Sequence, residues 1–201
     1  MAASPTAASG TDRRVLVPIK SFAAAKGRLG GVLDDSARAA LIRSMAAHVI
    51  AAASPLEVWV ACDDPEVAAF AESQGARVAW TPGLGLNGAV TATIAMLAAL
   101  GAEYVTVVHA DLPLASGIGT LAHRDGVTIA PDRHGRGTNL LRVPATSRFQ
   151  TRFGRDSLRR HLEECERRAL EVTVLEREDL AFDVDEPRDL AELTTRRGGT
   201  P

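Results

Sequence analysis

Residues 104–113, YVTVVHADLP, decide the architecture. The first half is an almost unbroken apolar, β-branched run, the composition of a strand covered on both faces. It runs into His109, Ala110, Asp111 and a proline, so the chain leaves the sheet at a carboxylate. Working outward, similar runs stand at 13–19 (RRVLVPI), 56–62 (LEVWVAC), 77–81, 127–130, 139–143 and 170–175. Helical patterns lie between them. Residues 34–53 open on Asp34, Asp35 and Ser36, all N-cap types. Residues 65–73 begin with a proline after Asp64, and 89–100 follow a glycine loop. Residues 156–169 carry Leu158, His161, Leu162 and Cys165 at helical spacing, and 187–195 form a last helix with Asp185 or Glu186 as its cap. The alternation predicts an α/β layered fold, a mostly parallel sheet with helices on both faces. Such sheets take ligands outside the carboxyl ends of their strands, so the chemistry is sought in the loops that follow them.

The chain has 201 residues, which reads as a single domain over 13–195 between a leader at 1–12 and a flexible tail at 196–201. Hydrophobic residues make up 46% and charged ones 24%, values of an ordinary globular protein that needs no disulfide or metal to build a core. A net charge of −2 argues against bulk nucleic-acid binding. The apolar stretches at 45–53 and 89–100 fall short of the ~20 residues that span a bilayer, so no membrane partner is expected. The two cysteines, Cys62 and Cys165, form no CxxC pair and suggest a reducing compartment. A cytoplasmic protein is expected.

Gly83-Leu84-Gly85-Leu86-Asn87-Gly88 fits GxGxxG between a strand and a helix, which raises a dinucleotide-dependent oxidoreductase as one hypothesis. Its place on the third strand, the interruption by Pro82 and the position of Glu103 before the fourth strand rather than at its end argue against that. The loop after the first strand is more informative. The chain's two lysines, Lys20 and Lys26, both stand there with Arg28, in a sequence that otherwise uses arginine. Ammonium groups suit phosphate oxygens, although no Walker A pattern is present. In the C-terminal DVD, Asp183 and Asp185 project the same way if extended. With Asp111 they make an oxygen-only set suited to Mg²⁺. A capping role for Asp185 is the competing structural reading. Arg136-Gly137-Thr138-Asn139 and Phe153-Gly154-Arg155-Asp156-Ser157 offer a close-approach glycine loop and a helix start, both apt for an anion. His109, His161 and Cys165 read as packed residues.

Taken together, VPIKSFAAAKGRL (17–29), LNGAV (86–90), HADLP (109–113), APDRHGRGTNLL (130–141), FGRDSLRRH (153–161) and DVDEPRDL (183–190) resemble the guanylyltransferases of coenzyme F-420 biosynthesis, the CofC/FbiD family. Two departures stand out: Arg136 where that family usually repeats glycine, and His109 where a small residue or proline is common. The resemblance implies a Rossmann-like nucleotidyltransferase fold and transfer of GMP from GTP to a small phospho-acid. It implies Mg²⁺ on Asp111, Asp183 and Asp185, with Lys20, Lys26 and Arg28 facing the triphosphate. Thr138, Gly154 and Ser157 would hold the acid's carboxylate, and Asn87 and Gly88 would lie near the nucleotide. The family uses phosphoenolpyruvate, 2-phospho-L-lactate or a phosphoglycerate. The arginine and alanine bias of a high-GC genome favours phosphoenolpyruvate. A molybdopterin-type nucleotidyltransferase and a non-catalytic nucleotide-binding module are the remaining alternatives.

Overall fold

The computed structural model describes residues 12–22, 27–122 and 124–198. Its strands are β1 (Arg13–Pro18), β2 (Glu57–Cys62), β3 (Arg77–Trp80), β4 (Tyr104–Val108), β5 (Val127–Pro131), β6 (Thr138–Pro144) and β7 (Val172–Val174). Its α-helices are α1 (Asp35–Ala52), α2 (Pro65–Ser73), α3 (Gly85–Ala99), α4 (Ser157–Arg167), α5 (Glu178–Ala181) and α6 (Pro187–Arg196). The strands form one seven-stranded sheet in the order β3-β2-β1-β4-β6-β5-β7. β1 pairs parallel with β2 and β4, β2 with β3, and β5 with β7; β6 alone runs against its neighbours. The carboxyl ends of six strands and the starting end of β6 therefore share one rim.

Strands β1, β2, β4, β5 and β6 each feed two cores, one on either face of the sheet, which is why they are largely apolar. Val15 and Val17 face one side with Val58 and Val60, under Ile42, Met45 and Val49 of α1 and Val67 of α2. Leu16, Trp59, Val105 and Val107 face the other, under Val90, Ile94 and Leu97 of α3 and Cys165 of α4. α1, α2, α5 and α6 thus cover one face, and α3 and α4 the opposite one.

The helix starts follow local chemistry. Asp34 Oδ1 accepts the Ala37 N–H at 2.7 Å, and Asp64 Oδ1 accepts that of Glu66 at 2.8 Å, each cap worth about 1 kcal/mol. α3 starts at Gly85, four residues before the expected Ala89, so four of the six residues of the glycine motif are helix rather than loop. α5 was not anticipated. Its four residues, Glu-Asp-Leu-Ala, are held by long-range bonds: Asn139 Nδ2 donates to Leu180 O at 3.0 Å and to Ala181 O at 3.3 Å. At the boundaries expected for leader and tail, the Asp12 carbonyl accepts from the Glu103 and Tyr104 N–H groups, and α6 continues through Arg196. Among the described residues no helix is long and apolar enough to cross a membrane.

Candidate active site

Strand order reverses at β1. β2 and β3 lie to one side of it and β4 to the other, which opens a crevice at the sheet's carboxyl rim. A cleft of about 620 Å³ fills it. Pro18, Ile19 and Lys20 line it from β1, and His109, Ala110 and Asp111 from β4. Asp63, Thr81, Gly83 and Leu86 continue it over β2 and β3. Lys20 and Asp111 thus meet in one cavity, as expected of a cation and an acid at adjacent strand ends. Lys26 lies outside the described residues.

The C-terminal acids reach the same place. The Val184 N–H donates to the Asp111 carbonyl at 3.2 Å, joining segments more than seventy residues apart. Phe182 and Val184 are buried, whereas Asp183 and Asp185 are half-buried. This alternation is the pattern of extended backbone, which turns both aspartates away from the core. Asp185 is not the helix cap. Glu186 occupies that position, and Asp189 Oδ2 accepts the N–H groups of Asp185 at 2.9 Å and Glu186 at 2.8 Å. Arg28, in the turn Gly27–Gly31, is exposed and pairs with Glu186 at 3.4 Å, so the basic loop and the acidic segment adjoin. Among the described residues no three His, Cys, Asp or Glu side chains converge tightly enough to hold an ion by themselves.

Sequence reasoning missed what holds this segment. Arg133 pairs with Asp189 and Glu192 at 2.8 Å each, donates to the Asp183 carbonyl at 3.2 Å, and lies 4.5 Å from the Phe182 ring centroid. Asp189 itself is 4% exposed, a buried carboxylate that is both paired and hydrogen-bonded, as such a group must be. Only the spacing of Glu186 and Asp189, a capping-box interval, signals this in the sequence.

The reversed strand β6 places Thr138 at the same rim. His109 N donates to Asn139 O at 3.0 Å, so Thr138 begins one residue from the end of β4. Between Pro131 and Thr138 the chain wraps around Asp132, whose Oδ1 accepts the N–H groups of His134 and Arg136 at 3.1 and 2.8 Å. A Cβ on Gly137 would stand 2.7 Å from Asp132 Oδ2, so that position needs glycine. Arg136 does not. Its side chain is exposed, and its carbonyl accepts the Leu158 N–H at 3.0 Å, closing the first turn of α4. Gly154 adopts φ +117° and Asp156 φ +54° on the way into that helix, and Ser157 is buried at its start. Thr138, Gly154 and Ser157 are therefore brought together.

His161 ties them. It is fully buried, with Phe153 4.9 Å and Phe149 5.8 Å away between ring centroids. The Arg152 N–H can only donate, and it points at Nε2 at 2.9 Å. Nε2 must be the unprotonated nitrogen, so Nδ1–H donates to Thr138 Oγ1 at 3.0 Å. The threonine keeps its own proton for another acceptor. Burial, followed by the field of His109, pushes the His161 imidazole down to about 4 against the opposing effect of Glu164. Asn87 joins the two halves of the site: Nδ2 donates to Phe153 O at 3.0 Å and Oδ1 accepts the Phe153 N–H at 2.7 Å. Its amide faces the loop before α4, while Gly88 lies in the first turn of α3.

Comparison with known proteins places this geometry. Residues 13–200 match the family described as guanylyl transferase CofC like. A phosphoenolpyruvate guanylyltransferase of Chloroflexus aggregans is 35% identical over 191 residues, 88% of this chain and 94% of that protein. A 2-phospho-L-lactate guanylyltransferase of Methanocaldococcus infernus is 29% identical over 190 residues, 92% of this chain and 86% of that protein. Among solved structures, a candidate nucleotide-diphospho-sugar transferase from Desulfovibrio desulfuricans G20 superposes with a TM-score of 0.75 at 19% identity, covering 94% of this chain and 88% of that one. With its switch-point cleft, its acid-bearing rim and these relatives, the chain belongs to the CofC-like guanylyl transferase family.

Proposed function

We propose that this protein transfers GMP from GTP to phosphoenolpyruvate, releasing diphosphate and forming enolpyruvoyl-2-diphospho-5′-guanosine for coenzyme F-420 biosynthesis, in the cytoplasm. The Val184-to-Asp111 hydrogen bond supports the reading most, because it joins the acidic C-terminal segment to the residue whose carboxylate lines a nucleotide-sized cleft. The nucleophile is a phosphate oxygen of the acid, largely ionised at neutral pH with a second pKa near ~6, so no protein base is required. It attacks the α-phosphorus in line, a new P–O bond forms, and the bond to the β-phosphate breaks as diphosphate leaves. The obstacle is repulsion between two anions.

Lys20, Lys26 and Arg28 offset that repulsion at the triphosphate, and diphosphate departs against the same cations. Thr138, Gly154 and Ser157 hold the carboxylate end of the acid, the threonine through the hydroxyl proton that His161 leaves available. Asn87 keeps the loop before α4 in register with α3, where Gly88 borders the nucleotide. The donor set fits Mg²⁺. Asp111, Asp183 and Asp185 supply oxygen atoms only, and such an ion takes one or two carboxylates and completes its shell with phosphate oxygens and water. When bound, the ion supplies neutralising charge between the phosphates.

The test mixes protein, Mg²⁺ and GTP with phosphoenolpyruvate, 2-phospho-L-lactate or a phosphoglycerate and measures diphosphate. Release that depends on phosphoenolpyruvate supports the proposal. Faster release with 2-phospho-L-lactate replaces the acid and keeps the reaction. GTP binding without release under any acid refutes it.

A further inference from the structure

The cleft extends beyond the residues that phosphate and acid would occupy. With the triphosphate between the β1 loop and Asp111, and the acid beside Thr138 on β6, the nucleoside is directed over β2 and β3. At ~4.8 Å per strand, the end of β2 lies about 10 Å from that of β4. Asp63 stands there. It follows β2 directly, is half-buried and lines the cleft. One carboxylate oxygen, Oδ2, accepts the Gly83 N–H at 3.3 Å, which fixes the side chain across the gap between β2 and α3. A carboxylate offers about four lone-pair positions, so this bond leaves room for a bidentate partner. Thr81 is tied back to β2 by its N–H to Cys62 O at 2.9 Å. Leu86, 42% exposed, also lines the cleft and offers an apolar surface for the flat face of a base.

We propose that Asp63 selects guanine by accepting its N1–H and 2-amino protons, a reading that rests on the guanylyl-transfer function above. The chemistry is discriminating. Guanine presents two adjacent donors, which match two carboxylate oxygens. Adenine presents an unprotonated N1 at that edge, lone pair against lone pair. Xanthine keeps N1–H but carries a carbonyl in place of the 2-amino group, so it matches an amide side chain instead.

The experiment compares wild type with Asp63→Asn, using diphosphate release with phosphoenolpyruvate and, separately, calorimetric binding of GTP and XTP in Mg²⁺. The amide oxygen still accepts the Gly83 N–H, so an unchanged unfolding midpoint is expected. Asp63→Asn lowers the preference for GTP over XTP at least tenfold, about the discrimination of one bidentate pair. A preference ratio equal to that of wild type overturns the proposal, as does equal loss of both nucleotides in a folded variant. The unmutated protein gives an independent reading. ITP lacks the 2-amino donor and binds at least about fivefold more weakly than GTP; equal affinity overturns the assignment. A swap in binding preference without diphosphate release from any acid keeps Asp63 as the base reader and refutes the transferase reading instead.

Discussion

Replacing His161 with phenylalanine removes a buried imidazole that carries one proton and has both nitrogens engaged. The wild-type consequence is a definite pH dependence. In the unfolded chain the ring takes a proton near ~6.5; in the fold, burial first and His109 second hold it to about 4, with Glu164 opposing. Between those values only the unfolded state binds the proton, so stability is full above 6.5 and is lost as pH falls toward 4. Below that both states are protonated and the loss grows no further. The loss between pH 7.5 and pH 5 is about 2 kcal/mol, rising to a limit of about 3 kcal/mol. Glu164 does not blur this window. Burial pushes its carboxyl up, but hydrogen bonds from Arg168, the Gln150 N–H and Arg167 outweigh that and bring it down to about 2. Its stabilisation is lost only as pH falls from about 4.5 toward 2.

The assay is denaturant unfolding at pH 7.5, 6 and 5, followed by fluorescence of the buried Trp59. His161→Phe leaves the Arg152 N–H and the Thr138 hydroxyl unpaired, so at pH 7.5 it costs about 1–3 kcal/mol for each group. Its stability then falls about 2 kcal/mol less than wild type on going to pH 5. His161→Gln, which keeps an acceptor and a donor, gives the same flattening at a smaller initial cost. A variant that retains the whole wild-type fall refutes the assignment of that titration to His161.

Asp111→Asn abolishes diphosphate release while leaving the unfolding midpoint near that of wild type; normal turnover in the folded variant removes Asp111 from the reaction. Asp189→Ala uncaps α6 and strips Arg133 of a partner, costing about 1–2 kcal/mol by denaturant unfolding. It also weakens turnover, because the Asp183–Asp185 segment loses its anchor, and full activity would show that the anchor is dispensable. Gly137→Ala forces a Cβ against the Asp132 carboxylate. It raises the KM for the phospho-acid at least severalfold with the KM for GTP unchanged, read from initial rates; a shift in GTP alone contradicts the placement of the acid.

How far the sequence carries follows from the range of each interaction. Strands β1, β2 and β4 are legible because burial on both faces leaves them largely apolar, with Arg13, Arg14 and Glu57 at their starts and Thr106 as the exceptions. β7 is shorter than its apolar pattern, three residues with Val172 and Val174 exposed, because it has a neighbour on one side only. The start of α3 is hidden by glycines that signal loop in isolation but here form the first helical turn. A strand end revealed where Asp111 sits, since a carboxylate after a buried run has only the rim to occupy, whereas Asp183 and Asp185 lie between α5 and α6 and reach that rim through the Val184 bond to the Asp111 carbonyl. The roles of Arg133, Asp189 and His161 were not legible. Each depends on a partner brought near by packing alone, and His161 sits at a helical spacing indistinguishable from that of Leu158 or Leu162.

The backward course of β6 has an evolutionary consequence. With the substrates bound as proposed, one inverted strand hands the second reactant to segments that share no loop with the nucleoside half, the two halves meeting at β4 and through Asn87. Selection can therefore remodel the stretch from Pro131 to Ser157 for a new acceptor while the nucleotide-facing half is inherited unaltered.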